Sequence, residues 1–479
     1  MRRYNLFWLA LCLLLLSCVK TERADLVIHN ARILSFDERA SQHEAMAISD
    51  GRILELGAEH EIMNRYLGDE VIDMKKKFVI PGLIDNHAYF IEYGHLLANT
   101  DIRDYENWND LIEDLKQKDD SILFAYGWNE SFFKNSEIPS LQILDSIFST
   151  KPIFVKHRYG FKALVNSASI ECFGLETRSS IAKGEDLEKL DLWKDVQIKE
   201  NLVRYYSLAK EANLKKGIIC SSNLGLSLDV FTDLQEVSIQ DENPIELNCY
   251  LGQSEGSFQF LLDQEPDSGT LRLLGMNVYF PLDSPYFEKA KDWAFLLKER
   301  NKQLVMHALG AEAMDQILVI AEENLGDVND LRWRVENAHQ VDMAQMPLFR
   351  KSTLIPGLCP LQDDQYDEVQ SFQYHSLYDQ NKILSLGTSC PVEKCDPWSA
   401  MSMTTTKADE ALTFEQSLKA MTSWAALASF RELELGSLEA GKDASFITLK
   451  SDPRSMTSDQ FSVLSPESVW LNSKMVFSK

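Results

Sequence analysis

The chain has 479 residues, 45% of them apolar and 25% charged, which provides material for one large or two modest cores. This balance excludes a disordered, collagen-like or polytopic membrane chain. With 73 acidic against 48 basic side chains the formal charge is -25, a field that repels phosphate backbones and argues against a nucleic-acid partner.

The chain opens on Met1-Arg2-Arg3, followed by the apolar run Leu6 to Leu16 and then Ser17-Cys18. A basic start followed by an apolar run too short to span a bilayer has the form of a secretory signal. Leu15-Leu16-Ser17-Cys18 also resembles a bacterial lipobox, in which cleavage leaves the cysteine as a lipid-modified N-terminus. The expectation is a signal peptide at 1–17, a lipid anchor at Cys18, a tether at 18–23, and an exported bacterial lipoprotein in the periplasm or on the outer membrane. A plain signal peptide is the alternative. Six later cysteines, at 172, 220, 249, 359, 390 and 395, form no Cys-x-x-Cys pair. Several sit inside apolar runs, so free buried thiols are expected.

Alternating apolar segments follow at 25–34 and 45–56, the second interrupted by the hairpin signal Asp50-Gly51. The C-terminus is similarly strand-rich, at 444–449, 468–471 and 475–477. Neither end could bury a sheet face alone, so residues 24–75 and 434–479 are expected to form one composite β-sandwich. Between them lie eight short apolar runs, at 78–84, 217–222, 245–250, 276–280, 304–307, 331–335, 352–358 and 383–386. Helical patterns follow several of them, at 288–300, 312–323 and 414–428, the last opened by the capping-box pattern Thr413-Phe414-Glu415-Gln416. Eight strand–helix units predict an α/β fold with a (β/α)8 TIM barrel over 76–433, whose active site lies at the C-terminal ends of the strands. A doubly wound sheet is the alternative. Residues from 95 to about 212 exceed the count and are expected as an insertion after the first strand.

Certain motifs point further. Pro81-Gly82-Leu83-Ile84-Asp85-Asn86-His87-Ala88-Tyr89 resembles the first barrel strand of the amidohydrolase superfamily, Pro-Gly-x-x-Asp-x-His-x-His. The segment from Gly436 to Ser445 resembles that superfamily's re-entry into its β-sandwich. Gly127-Trp128, Asn166-Ser167, His307-Ala308-Leu309-Gly310, Arg334-Val335-Glu336 and Pro391-Val392-Glu393 are similar to the family 3 branch, which includes N-substituted formamide deformylases. The resemblance implies hydrolysis of non-peptide carbon–nitrogen bonds with one or two divalent metals, held by imidazoles and carboxylates, and an Asp for proton transfer.

Carried over residue by residue, the resemblance leaves His87 and His307 as metal ligands. Tyr89, Asn277 and Asn337 stand where a second His, a bridging Lys and another His belong, and Ser389 stands where the catalytic Asp belongs. Tyr159 and Phe161 replace polar contacts of the pocket wall. His339 is a further pocket candidate, and so is Cys390, a thiol able to act as a nucleophile beside a histidine. The segment Tyr366 to Tyr378 is a candidate pocket mouth. These departures lead to the expectation of a lost or impaired hydrolase that binds a small ligand or an envelope protein, with no cofactor or at most one weakly held zinc. An active enzyme with a reduced metal site and a repurposed enzyme using His/Cys chemistry are the alternatives.

Overall fold

The computed structural model describes residues 22–130, 132–133, 137–264, 269–326, 329–365, 372–406 and 408–479. The signal peptide, Cys18, most of the tether and part of the 366–378 segment lie outside the described residues. Eight strands form one parallel sheet in chain order: β1 (Leu83–Asp85), β2 (Ile218–Leu226), β3 (Glu246–Leu251), β4 (Leu271–Phe280), β5 (Gln303–Ala308), β6 (Arg334–Glu336), β7 (Ile355–Leu358) and β8 (Ser385–Leu386). The order runs without the reversal that a doubly wound sheet requires, so the fold is the (β/α)8 barrel. Strands β3 and β5 are buried at every residue, as expected when a parallel sheet is covered on both faces. This burial makes the runs continuous rather than alternating.

Both chain ends build the second domain. One sheet orders Arg52–Gly57, Ala45–Ser49, Glu22–His29 and Tyr66–Asp73, and the other orders Lys474–Ser478, Ser468–Leu471, Phe446–Leu449, Phe78–Pro81, Arg32–Leu34 and Gln42–His43. Ile28, Ile33, Met46, Ile48, Val79, Phe446 and Trp470 contribute to a core shared between them. At the hairpin, Asp50 and Gly51 both have positive φ, 51° and 74°, as a type I′ turn demands.

Two elements differ from the sequence reading. The run at 78–84 is not a single barrel strand. Phe78–Pro81 pairs antiparallel with Phe446–Leu449 in the sandwich, and only Leu83–Asp85 joins the barrel. Gly82 sits at the changeover, where a Cβ would lie 2.5 Å from Ile219. The helix predicted at 414–428 is two helices, Phe414–Ala420 and Ser423–Ala428, with both capping-box bonds present between Thr413 and Gln416. The break at Met421 frees its carbonyl to accept from the Ile84 N–H of β1, at 2.8 Å.

The insertion contains a five-stranded sheet, Ile181–Ala182, Ala163–Val165, Ile153–His157, Leu123–Trp128 and Thr100–Asp101. It has its own core around Trp108, Leu123, Trp128 and Leu164. It docks on the loop after β8: Arg103 donates to the carbonyls of Pro391 and Glu393, and Arg158 donates to the Val392 carbonyl and the Glu393 carboxylate.

Candidate metal centre

The barrel closes at the functional end. Beyond the strand termini, the Ser389 N–H donates to the His87 carbonyl at 2.7 Å, and the Tyr89 N–H donates to the Cys390 carbonyl at 2.8 Å. The Thr388 hydroxyl and N–H both donate to Asp85, at 2.6 and 3.1 Å. Gly387 permits this approach, since a Cβ there would stand 2.3 Å from the Cβ of His87. Asp85 therefore joins β1 to the segment after β8. Burial raises its carboxyl to about 6 against the lowering effect of the Thr388 bonds.

His87, at the mouth of β1, is 2% exposed. Its Nδ1 lies 2.9 Å from Glu336 Oε2, at the end of β6, and 2.9 Å from Cys359 Sγ, immediately after β7. One ligand atom from each of these three buried residues lies within 4.8 Å of the others. Burial alone would raise Glu336, but the Arg334 guanidinium, 3.0 Å from Oε1, and His87 together hold its carboxyl at about 2. The carboxylate is therefore anionic and ready to donate to a cation.

His307, on β5, packs edge-on against His87 with ring centroids 4.8 Å apart. Burial and the neighbouring His87 push its pKa well below the usual imidazole value, and its Nε2 has no hydrogen-bond partner of good geometry among the described residues. Tyr279 stacks on His307 at 4.4 Å, and its hydroxyl meets that of Tyr89 at 2.6 Å. Burial raises both phenols, Tyr279 to about 12. Both are neutral near pH 7, so their hydroxyls link into a half-buried cover over the imidazoles.

Of the residues singled out from the sequence, His87, Tyr89 and His307 converge. Asn277 lies on β4, fully buried. Asn337 follows Glu336 with φ 59°, a left-handed conformation that asparagine tolerates. His339 is 4% exposed and tilts against Phe372 at 5.3 Å. Burial and His87 lower it to about 3. Ser389 Oγ accepts from Gln362 Nε2 at 2.6 Å. Tyr159 and Phe161 gather around His157 in the insertion, with ring centroids at 5.6 and 4.3 Å, and Phe161 is 55% exposed. One expectation is corrected. The thiol beside a histidine is Cys359. Cys390 instead shares a thiol hydrogen bond with the free Cys395, and burial pushes its pKa well up, the opposite of an activated nucleophile.

Sequence reasoning named Glu336 only within the Arg334-Val335-Glu336 motif, not as a site residue, and missed Cys359, Tyr279 and Gln362. The only available signals were Glu336 two residues beyond Arg334 and a cysteine at the end of the seventh apolar run.

An eight-stranded parallel barrel with an imidazole, a carboxylate and a thiol collected at the C-terminal ends of its strands defines the class: a (β/α)8 barrel with a candidate metal centre at its functional end. A family model described as "Amidohydrolase family" matches residues 70–477, so the chain belongs to that family. It is 26% identical to "Protein LONG AFTER FAR-RED 3" of Arabidopsis thaliana, over 90% of this chain and 88% of that protein. It is 22% identical to an N-substituted formamide deformylase of Arthrobacter pascens, over 90% and 94%. The fold is similar to that of an uncharacterized metal-dependent hydrolase from Pyrococcus horikoshii, with a TM-score of 0.77 and 20% identity over 91% and 99% of the two chains.

These findings overturn the expectation of no cofactor or at most a weakly held zinc. Solved proteins of this fold hold zinc, and the residues present fit a divalent ion. Imidazole, carboxylate and thiol are zinc's ordinary donors, and an unpartnered imidazole lies alongside. The expectation rested on fixed ligand positions, of which His87 is kept, whereas the other two candidate donors, Glu336 and Cys359, come from β6 and the end of β7.

Proposed function

We propose that this chain is a lipid-anchored, metal-binding member of the amidohydrolase family in which carbon–nitrogen hydrolysis is strongly impaired, and that it serves to bind an amide-type ligand. His87, Glu336 and Cys359 would hold the ion, and a divalent ion there would supply Lewis-acid polarisation of a carbonyl. The observation that carries the reading is Ser389. It occupies the position that the family resemblance gives to the proton-transferring Asp, and a serine hydroxyl does not serve as a base near neutral pH. Its oxygen already accepts from Gln362. Loss of a general base costs roughly 10²- to 10⁴-fold. The Tyr89–Tyr279 pair further restricts access to His307.

Zinc-loaded full-length chain is assayed on N-substituted formamides and N-acyl amines beside a Ser389→Asp variant. The variant is expected to turn over at least tenfold faster. Equal or faster turnover by the unmodified chain overturns the impairment. The anchor is supported by the lipobox-like run ending at Cys18.

A further inference from the structure

We propose that Cys359 is a thiolate ligand of the metal, so that His87, Glu336 and Cys359 form a centre rebuilt on β1, β6 and the end of β7 and selective for thiophilic ions. The proposal deepens the metal-binding reading above and rests on it. Cys359 Sγ and Glu336 Oε2 both stand 2.9 Å from the same atom, His87 Nδ1. That nitrogen carries either one hydrogen or one lone pair. A hydrogen on it serves Glu336 and a lone pair serves the thiol, so the two contacts compete for one atom, at a site where none of the three residues exceeds 2% exposure. A divalent cation converts all three atoms into donors at once.

A nucleophilic Cys–His pair is the competing use of the same contact. It requires the thiol on one ring nitrogen and the orienting carboxylate on the other, whereas here both crowd Nδ1. Cys359 is also fully buried. Two further observations favour a ligand. His307 Nε2 is buried, without a well-placed partner, on a ring 4.8 Å from that of His87, and offers a fourth neutral donor. Gly357, two residues before Cys359 and on the same side of β7, has no room for a side chain because a Cβ would meet Glu336 Oε2 at 2.2 Å. The glycine lets the strand press against that carboxylate and carries Cys359 to His87.

A thiolate–imidazole–carboxylate set favours zinc or cobalt(II) over magnesium, calcium or manganese. As the ion enters, the Cys359 thiol gives its proton to water, and no oxidation state changes. The test uses the full-length chain, stripped with a chelator and titrated with cobalt(II) alone. One cobalt per chain is expected, with a near-ultraviolet thiolate-to-cobalt charge-transfer band that zinc displaces. The band is lost in Cys359→Ser and kept in Cys390→Ser. Cobalt bound without that band, or with a band that survives Cys359→Ser, removes Cys359 from the centre while leaving metal binding intact. Failure to take up either cobalt or zinc removes both readings. The spectrum of the unmodified chain decides the matter even where a variant fails to fold.

Discussion

Glu336 has three dependants: Arg334, His87 and the donor group it shares with Cys359. Replacing it with Gln leaves the fully buried Arg334 guanidinium without its counter-charge. Breaking a buried pair in this way costs about 3–5 kcal/mol, so Glu336→Gln is expected to lower the guanidinium unfolding midpoint markedly even without metal. A shift below about 1 kcal/mol would show that the pair is not a keystone. The two histidines of the centre were legible in the sequence because each sits in a motif with a fixed offset. Glu336 stood in the Arg334-Val335-Glu336 motif, but the resemblance puts the ligand one residue later, at Asn337, and Cys359 was hidden among six scattered thiols. The register that brings them to one point is a property of neighbouring strands and leaves no local spacing.

Among the elements, the eight barrel runs could be read in the sequence because strands buried on both faces are continuously apolar. The same property concealed the division of 78–84 between two sheets, since both halves are buried. Gly82 marks that division, and Gly82→Ala is expected to cost about 1–3 kcal/mol through overpacking against Ile219, measured by urea unfolding. The helix Phe90–Leu97 carries His95, 3% exposed, with its ring 4.7 Å from Phe124 of the insertion and 5.3 Å from Tyr205. Burial, reinforced by Lys194 and Lys156, lowers its pKa to about 3. Between that value and the usual 6.5, the unfolded chain binds a proton that the folded chain refuses. The stability this group confers is therefore complete above pH 6.5 and is lost as the pH falls toward 3. His95→Phe should flatten the thermal-stability profile between pH 7 and 4.5, and an unchanged slope would show that His95 does not govern it.

At the scale of the whole molecule, the insertion and barrel are joined through the loop after β8. Arg158 is the inserted side chain that reaches both the Val392 carbonyl and the buried Glu393. Arg158→Ala is expected to speed limited proteolysis of the insertion while the barrel core stays resistant; identical digestion patterns would show that the dock is held elsewhere. The acidic surface gives no electrostatic attraction to an anionic membrane, and no helix among the described residues is long and apolar enough to cross one. Cells expressing the full chain with a labelled fatty acid should yield labelled protein in the membrane fraction, and Cys18→Ser should abolish the label. Retention of label by that variant would place the lipid elsewhere.

The closure between β8 and β1 has a mechanical consequence. Seven of the barrel's eight junctions are ladders of backbone bonds, while the eighth is sewn by Asp85, Thr388 and a few bonds beyond the strand ends. A wall closed this way depends on one buried carboxylate rather than on strand register, and its line passes between His87 and Ser389. Amide exchange at the Ser389 and Tyr89 N–H groups should therefore quicken when the Thr388–Asp85 bond is removed, while the seven ladders keep their protection.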